Sequence, residues 1–446
     1  MTIENYQDCL DYLYGLGQSG IKLGLENTRL LLGYFGDPHL KVRTVHIAGT
    51  NGKGSTSAFT ESILRSAGYR VGLYTSPHLL DFRERIQIDR VPISQPGLCN
   101  LVSRVKRAAD ALGITPTFFE FGTVMAFIHF FENKTDWNVI EVGLGGRLDA
   151  TNVCQAEVSI IASISLDHAE YLGSDLKQIA GEKAAIIKKH GTVIAHIEED
   201  EVFEVVRRQA EAMNARLLRL GTDFKAQSLS HDVAGQRISY RGGQRQFEDL
   251  EISLIGRHQA FNAALALACC LELRAKNAAV ADRAIRDGLK SARWEGRLEV
   301  VGTRPTLLLD CAHNPDGVIK LTQAVRDYFT YRQCHVVLGI LQDKPCKEMI
   351  EIISTIADRI TLTKPRTARG WEPKLYLDKL LGDQKVVDII EEIHYAIDTA
   401  RKTSNPGDLI CVTGSIFTVA EAKQAIVNEG VIQTHPIVSG DFPHGR

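Results

Sequence analysis

The segment HIAGTNGKGS, residues 46–55, decides the fold because it joins a short apolar strand to a helix through a glycine-rich loop. Residues 44–49 (TVHIAG) are typical of a buried strand, and residues 53–67 are typical of a helix that Gly68 ends. A strand, loop and helix in this order gather backbone N–H groups and a helix N-terminus around one point, where they stabilise phosphate oxygens. The segment therefore predicts a phosphate-binding loop.

The loop departs from the usual GxxxxGK[ST] pattern, which leaves an alternative open. Ile47 stands where the first glycine is expected, and Gly54 separates Lys53 from Ser55. The alternative is a glycine-rich turn with no ligand. In the phosphate-binding interpretation, Lys53 contacts the terminal phosphates, and Ser55 or Thr56 reaches a magnesium ion.

The remaining chain repeats the alternation of apolar strands and helices, which predicts parallel sheets covered on both faces. Residues 223–256 differ, because short alternating runs and a Gly-Gly pair predict a small antiparallel insertion. A second α/β block starts near Arg297, after a hinge at residues 288–296. The predicted strands are 44–49, 69–74, 137–142 and 158–165 in the first block, and 306–309, 335–338, 359–362 and 408–412 in the second. The predicted domains are 1–290 and 297–430, with a flexible tail at 431–446.

Composition excludes several classes of protein. The 446 residues carry a net charge of −2, which gives no reason to expect a nucleic-acid or membrane partner. The N-terminus lacks the pattern of a signal peptide, and no apolar run is long enough to span a bilayer. Nine cysteines without a CxxC pair indicate buried or incidental thiols in a reducing compartment, so we expect a cytoplasmic protein.

Polar side chains follow several predicted strands of the first block. Glu141 ends the strand at 137–142, and Asp167 and His168 follow the strand at 158–165. In parallel sheets, ligands bind at the carboxyl ends of strands, where a carboxylate can hold magnesium. Each residue alone is as well explained by a solvated or structural role, and Lys183 is ambiguous from its chemistry.

The second block has its own polar cluster, LDCAHNPDG at residues 309–317. Asp310, His313 and Asn314 directly follow a predicted strand. An aspartate and a histidine this close can contact a nucleotide or position an amine nucleophile. The simpler alternative is that they cap the next helix.

Together these motifs resemble the folylpolyglutamate synthase and dihydrofolate synthase family, within the Mur-ligase-like ATP-dependent amide ligases. The resemblance runs from about Tyr6 to Glu421, and eleven motifs in family order make it specific. They are IKLGLENTRLLL (21–32), GTNGKGS (49–55), YTSPHL (74–79), EVGLGGRLDATN (141–152), SISLDH (163–168), GEKAAIIK (181–188), FNAALAL (261–267), WEGRLE (294–299), LDCAHNPDG (309–317), GILQDK (339–344) and TGSIFTVAE (413–421).

The resemblance implies an N-terminal P-loop ATPase domain and a C-terminal Rossmann-like α/β domain. It also implies ATP and Mg²⁺ as cofactors, and dihydropteroate, reduced folates and L-glutamate as substrates, in a protein expected to be a monomer. The implied ATP-binding residues are Gly49, Asn51, Gly52, Lys53, Gly54, Ser55, Asn262, Arg297 and Asp310. The implied magnesium ligands are Ser76, Glu141 and His168. The implied substrate-binding residues are Thr117, Leu148, Asp149 and Ala150. The implied catalytic residues are Lys53, Lys183, Asp310 and His313, and Lys183 matches a lysine that is carbamylated in the family.

The activity implied is an amide ligation through an acyl phosphate, with glutamate added to dihydropteroate and to folates. A single-activity enzyme of the same family is the near alternative. A regulatory P-loop NTPase and a catalytically silent folate-binding protein are alternatives from other classes. A regulatory NTPase would not need the α/β block that starts near Arg297. A silent folate-binding protein would not need Lys53, Glu141, His168 and Lys183 together.

Overall fold

A computed structural model describes residues 5–17, 24–376 and 386–428. The described chain forms two compact units. The first takes in the chain up to Ser230, together with Gln236–Ser253 and His258–Arg293. The second comprises His231–Gly235, Leu254–Arg257 and the chain from Trp294 onward. Residues 21–23, which begin the motif IKLGLENTRLLL (21–32), lie outside the described residues. The predicted tail at 431–446 lies outside them as well.

The first unit is built on an eight-stranded sheet in the order β4-β3-β2-β5-β1-β6-β7-β8. Strands β2, β5, β1, β6, β7 and β8 pair in parallel, while β3 and β4 add an antiparallel edge. The strands are β1 (Arg43–Ala48), β2 (Val71–Tyr74), β3 (Ile86–Ile88), β4 (Val91–Pro92), β5 (Trp137–Glu141), β6 (Ala156–Ile161), β7 (Thr192–Ala195) and β8 (Arg216–Arg219). All parallel strands therefore direct their carboxyl ends to one edge.

Helices cover this sheet. The strand β1 lies between β5 and β6, and the helix that follows it is buried from Ser55 to Leu64. The helices of this unit are α1 (Tyr6–Leu16), α2 (Glu26–Tyr34), α3 (Lys53–Ser66), α4 (Gln95–Leu112), α5 (Phe118–Glu132), α6 (Ala169–Leu172), α7 (Leu176–Ala184), α8 (Asp200–Ala212), α9 (Arg257–Ala275) and α10 (Asp282–Ser291). Apolar side chains of α1, α2, α4 and α5 form one core cluster, and those of α7 and α8 form another.

The predicted antiparallel insertion is confirmed as a three-stranded sheet. Its strands are β9 (Phe224–Asp232), β10 (Gly235–Gly242) and β11 (Arg245–Ile252). Gly243, in the Gly-Gly turn, has a φ of 56°.

The second unit is also α/β, so the predicted fold class of two α/β blocks is confirmed. Its sheet has the order β12-β13-β17-β14-β15-β16, parallel except for the β12–β13 hairpin. The strands are β12 (Glu299–Thr303), β13 (Thr306–Leu309), β14 (Cys334–Leu338), β15 (Arg359–Leu362), β16 (Val386–Ile389) and β17 (Leu409–Thr413). The helices are α11 (Pro315–Tyr328), α12 (Cys346–Ser354), α13 (Ile393–Thr403) and α14 (Ile416–Asn428). No helix in the described part of the chain has the length and apolarity needed to cross a membrane.

The expectation that the nine cysteines are buried or incidental thiols is wrong for one pair. Cys9 of α1 and Cys99 of α4 form a disulfide, with 5.7 Å between their Cα atoms. The other seven cysteines are free and buried, as expected. Ninety residues separate the bonded pair, and only the packing of α1 against α4 brings the two together.

Candidate active site

The phosphate-binding loop has the strand–loop–helix form that the sequence predicts. β1 ends at Ala48, and α3 begins at Lys53. Gly52 immediately precedes α3 with a φ of 84°, a left-handed conformation that favours glycine. A Cβ atom at Gly52 would lie 2.6 Å from Oδ1 of Asn262, so no side chain fits there. The loop amides and the N-terminus of α3 therefore lie close to Asn262, a predicted nucleotide-binding residue.

The loop is fixed by the segment after β6. The backbone N–H of Thr50 donates to the carbonyl of Ser163 at 2.8 Å, and that of Asn51 donates to Oγ of Ser163 at 3.1 Å. The Thr50 hydroxyl donates to the carbonyl of Ser165 at 2.9 Å. These bonds explain why β6 ends at Ile161 and why the predicted strand to Ser165 is too long. The sequence analysis missed this role of Thr50 and the two serines, although the SISLDH motif signalled the segment.

Helix α9 reaches the loop through a short hydrogen-bond chain. Nδ2 of Asn262 donates to Oε1 of Gln259 at 2.9 Å, and Nε2 of Gln259 donates to Oγ of Ser55 at 3.2 Å. All three side chains are buried. Gln259, one helical turn before Asn262, was not predicted, and the i,i+3 spacing was its only signal in the sequence.

Lys53 lies folded over the loop. Its ammonium group donates to the carbonyl of Gly49 at 2.9 Å and to that of Thr50 at 3.0 Å. The cation is therefore held where the loop amides converge, which is the position needed to neutralise a phosphate.

Glu141 lies beside the loop because β5 pairs with β1, with Glu141 opposite Ile47. The side chain is buried at 4% exposure, and its Oε2 accepts a 3.1 Å hydrogen bond from the backbone N–H of Ser76. The structure thus brings together Glu141 and Ser76, two of the three predicted magnesium ligands. A buried carboxylate next to a serine suits a hard cation that prefers oxygen ligands.

His168, the third predicted ligand, follows Asp167 in a sharp turn. It has a φ of 51°, its backbone N–H donates to Asp167 Oδ1 at 2.9 Å, and its Nε2 lies 3.9 Å from the same oxygen. Within residues 5–17, 24–376 and 386–428, no three His, Cys, Asp or Glu side chains are arranged to hold a metal ion. The protein's own donors thus fit magnesium only if water or substrate oxygens complete the shell, which is usual for this ion.

Lys183, on α7, is buried at 3% exposure. Burial, and then the nearby charge of Lys53, lower its pKa to about 7, while Asp167, Asp149 and Glu182 oppose the shift. The amine is therefore much more nucleophilic at neutral pH than an exposed lysine.

The segment after Glu141 is folded around Asp149. Its carboxylate accepts hydrogen bonds from the backbone N–H groups of Leu144 at 2.8 Å and Thr151 at 3.0 Å. Burial raises the pKa of Asp149, and these hydrogen bonds oppose the shift. Asp149 therefore shapes the loop that carries Leu148 and Ala150, the neighbouring predicted substrate residues.

Thr117 lies at the start of α5. Its hydroxyl accepts from the N–H of Glu120 at 3.2 Å, and Glu120 accepts from the N–H of Thr117 at 2.7 Å. Two residues further on, the Phe119 ring presses against Gly143, where a Cβ atom would lie 2.3 Å from the ring. The start of α5 therefore packs directly on the loop that Asp149 organises.

Three predicted residues lie in the second unit. Asp310 is buried, and its two oxygens accept from the backbone N–H groups of Leu298 and Ala312, each at 2.9 Å. Burial raises its pKa, and the charge of Arg297 opposes the shift. His313 is oriented by a 3.0 Å contact between Nδ1 and the carbonyl of Cys311. The structure thus brings Arg297, Asp310 and His313 to one loop region.

The capping alternative for this motif is confirmed at Asn314. Its side chain accepts from the N–H of Gly317 at 2.8 Å and so caps α11.

Comparison with known families defines the class of protein. The Mur ligase middle domain matches residues 47–270, and the Mur ligase glutamate ligase domain matches residues 296–416. With the phosphate-binding loop in the first match and the Asp310 motif in the second, the chain is an ATP-dependent ligase of the Mur type.

Individual relatives narrow the class. A dihydrofolate synthase/folylpolyglutamate synthase of Bacillus subtilis is 36% identical over 94% of this chain and 99% of its own. A folylpolyglutamate synthase of Lacticaseibacillus casei is 31% identical over 95% of this chain and 99% of its own. The structure of Escherichia coli FolC in complex with DHPP and ADP has a TM-score of 0.87 and 31% identity, covering 96% of this chain and 99% of that one. The chain belongs to the dihydrofolate synthase/folylpolyglutamate synthase family.

Proposed function

We propose that this protein is bifunctional. It adds L-glutamate to dihydropteroate, forming dihydrofolate, and to reduced folates, forming polyglutamates. The observation that carries the proposal is the phosphate-binding loop, which hydrogen bonds to Ser163 and Ser165 hold in place, beside two buried groups, Glu141 and Lys183. The name of the Bacillus subtilis relative, which includes both activities, supports it.

The first step is the attack of a substrate carboxylate oxygen on the terminal phosphorus of ATP, which releases ADP and forms an acyl phosphate. Two anions approach each other in this step, so neutralisation of charge is the main requirement. The loop amides from Gly49 to Ser55 and the Lys53 ammonium meet that requirement. Asn262 positions the nucleotide beside the loop.

Mg²⁺ would be held by Glu141, Ser76 and His168, and when bound it neutralises phosphate charge. Ser55 is the further candidate on the loop. Glu141 is already oriented by its bond from Ser76, so its carboxylate is held in place before the cation binds.

Lys183 is proposed to be carbamylated. Its neutral amine nitrogen bonds to the carbon of CO₂, an electron pair moves onto one oxygen, and the amine proton leaves to solvent. The product is an anion, so the repulsion between Lys183 and Lys53 becomes an attraction. A buried lysine that faces another lysine is thereby stabilised.

In the second step the amine nitrogen of glutamate attacks the acyl carbon, phosphate leaves, and the nitrogen loses a proton. Arg297, Asp310 and His313 are proposed to act here and on the nucleotide. Thr117, Leu148, Asp149 and Ala150 are proposed to bind the pterin side of the substrate. We likewise propose that residues 1–290 form the nucleotide-binding domain and residues 297–430 the ligase domain.

Phosphate release tests the function. Purified protein is expected to release phosphate from ATP only when glutamate is supplied together with dihydropteroate or a reduced folate. A coupled phosphate assay with each component omitted in turn measures this dependence. If phosphate were released at the same rate without glutamate and without the pterin or folate substrate, the ligase function would be contradicted and a regulatory NTPase favoured.

The family leaves a single-activity enzyme as the second candidate, since the Lacticaseibacillus casei relative is named for folylpolyglutamate synthesis alone. Mass analysis of the products made from dihydropteroate, and then from tetrahydrofolate, separates the candidates. Product from only one of the two would show a single activity.

Glu141→Gln tests the magnesium proposal. Glutamine keeps an oxygen for the Ser76 N–H but removes the charge, so the fold is expected to persist while the half-saturating magnesium concentration rises at least about tenfold. Activity measured across a magnesium titration gives the result, and circular dichroism checks the fold. An unchanged magnesium curve would remove Glu141 from the metal site.

A further inference from the structure

Arg85 is a buried cation without a carboxylate partner in the part of the chain that the structure describes. It ends the 3₁₀ helix Phe82–Arg85 and is 8% exposed. Among the residues that the structure describes, no Asp or Glu oxygen lies within ion-pair distance of its guanidinium. Arg83, two residues earlier, is instead paired with Asp81 at 2.7 Å. A buried charge without a counter-charge is destabilising, so its presence calls for a ligand.

The neighbours of Arg85 do not cancel its charge. Nε of Arg85 donates to Nδ1 of His78 at 2.8 Å, so that ring nitrogen is an acceptor without a proton and the histidine is neutral. Glu84 and Glu141 attract the guanidinium from beyond ion-pair distance. Glu84 accepts hydrogen bonds from three backbone N–H groups, and Glu141 accepts one from Ser76. Tyr14 and Tyr74 are the other titratable groups that act on the guanidinium, and a phenol carries no charge at neutral pH.

Aromatic rings surround the same guanidinium. Its central carbon lies 5.0 Å from the Phe118 ring centroid and 5.6 Å from that of Phe82. Phe118 stacks on Tyr14 at 5.9 Å and directly follows Thr117. The cation therefore lies close to aromatic rings and within electrostatic reach of Glu141.

We propose that Arg85 binds the reacting carboxylate of the aromatic acid substrate. This rests on the proposed function, in which that carboxylate is phosphorylated. Guanidinium and carboxylate match in a two-point hydrogen bond, which would hold the carboxylate ionised and oriented for attack. The rings of Phe118, Phe82 and Tyr14 suit the benzoyl part of such an acid. A phosphate is the less suitable anion, because the loop at α3 already supplies its donors.

Arg85→Met tests the proposal through equilibrium binding of dihydropteroate and of the matched compound in which hydrogen replaces the carboxylate. Wild type is expected to prefer the carboxylate, and the variant to bind dihydropteroate about 10- to 100-fold more weakly while binding the matched compound unchanged. The melting temperature of the unliganded variant is expected not to fall, because the substitution removes an unpaired buried charge. Arg83→Met, two residues earlier on the same 3₁₀ helix, is the control and is expected to keep the wild-type preference.

Three outcomes would overturn the proposal. Equal weakening for both compounds with a lower melting temperature would show a structural role. Unchanged dihydropteroate binding with a raised KM for glutamate would assign Arg85 to the amino acid. Unchanged binding and kinetics would give it no role in recognition. A wild-type protein that makes no product would instead refute the proposed function, so the two failures are distinguishable.

Discussion

Replacing Lys53 by methionine is expected to lower kcat by about 10²- to 10³-fold, the usual effect of removing one donor that stabilises transition-state charge. Methionine keeps the length of the side chain and removes its charge. The fold is expected to persist, because the loop remains bound through Thr50 and Asn51 to Ser163. Steady-state kinetics at saturating ATP, glutamate and dihydropteroate give the effect.

Lys189→Met is the matched control, because this lysine is exposed and lies outside the loop. Its kcat is expected to equal that of wild type. If Lys53→Met kept kcat within about threefold of wild type, the loop would not use this cation in the phosphoryl transfer.

Replacing Lys183 by alanine is expected to lower activity by about 10²-fold or more, with partial rescue by bicarbonate or acetate. Alanine removes both the amine and most of the buried side chain, and a small carboxylate can occupy the space that a carbamate would fill. Kinetics with and without added acetate measure loss and rescue. Lys177→Ala, an exposed lysine at the other end of α7, is the control.

The carbamate itself has a pH signature. With a pKa of about 7, the Lys183 amine is about one-tenth neutral at pH 6 and nine-tenths neutral at pH 8. Only the neutral amine reacts with CO₂, so carbamylation is expected to rise as pH increases through 7. Nuclear magnetic resonance with isotopically labelled bicarbonate detects the adduct in wild type and in Lys177→Ala. Full activity in Lys183→Ala, or a signal that persists in it, would contradict the assignment.

The sequence alone was sufficient for the local chemistry. Glycines between an apolar strand and a helix have few backbone solutions, so GTNGKGS predicted the phosphate-binding loop and its boundaries within about one residue. The Gly-Gly turn and alternating runs likewise predicted the antiparallel insertion. Glu141 was placed at a strand end because an apolar run followed by a charge is a local signal.

Other features depend on contacts that no local pattern encodes. The sequence predicted that the serines of SISLDH continue the strand at 158–165. In the folded chain, Ser163 and Ser165 instead form hydrogen bonds with Thr50 and Asn51, more than a hundred residues earlier. The strands β3, β4, β7, β8, β12 and β16 also went unpredicted, although β13 and β15 are equally short and were predicted.

The sequence by itself thus determined the fold class, the loop and the family. Only the tertiary structure decided that Cys9 meets Cys99, that Lys183 is buried near Lys53, and that Arg85 is buried with no carboxylate partner among the described residues. The physical reason is that burial and pairing are properties of neighbours in space. A side chain's charge and size are written in the sequence, but its desolvation and its partners arise only when distant elements pack together.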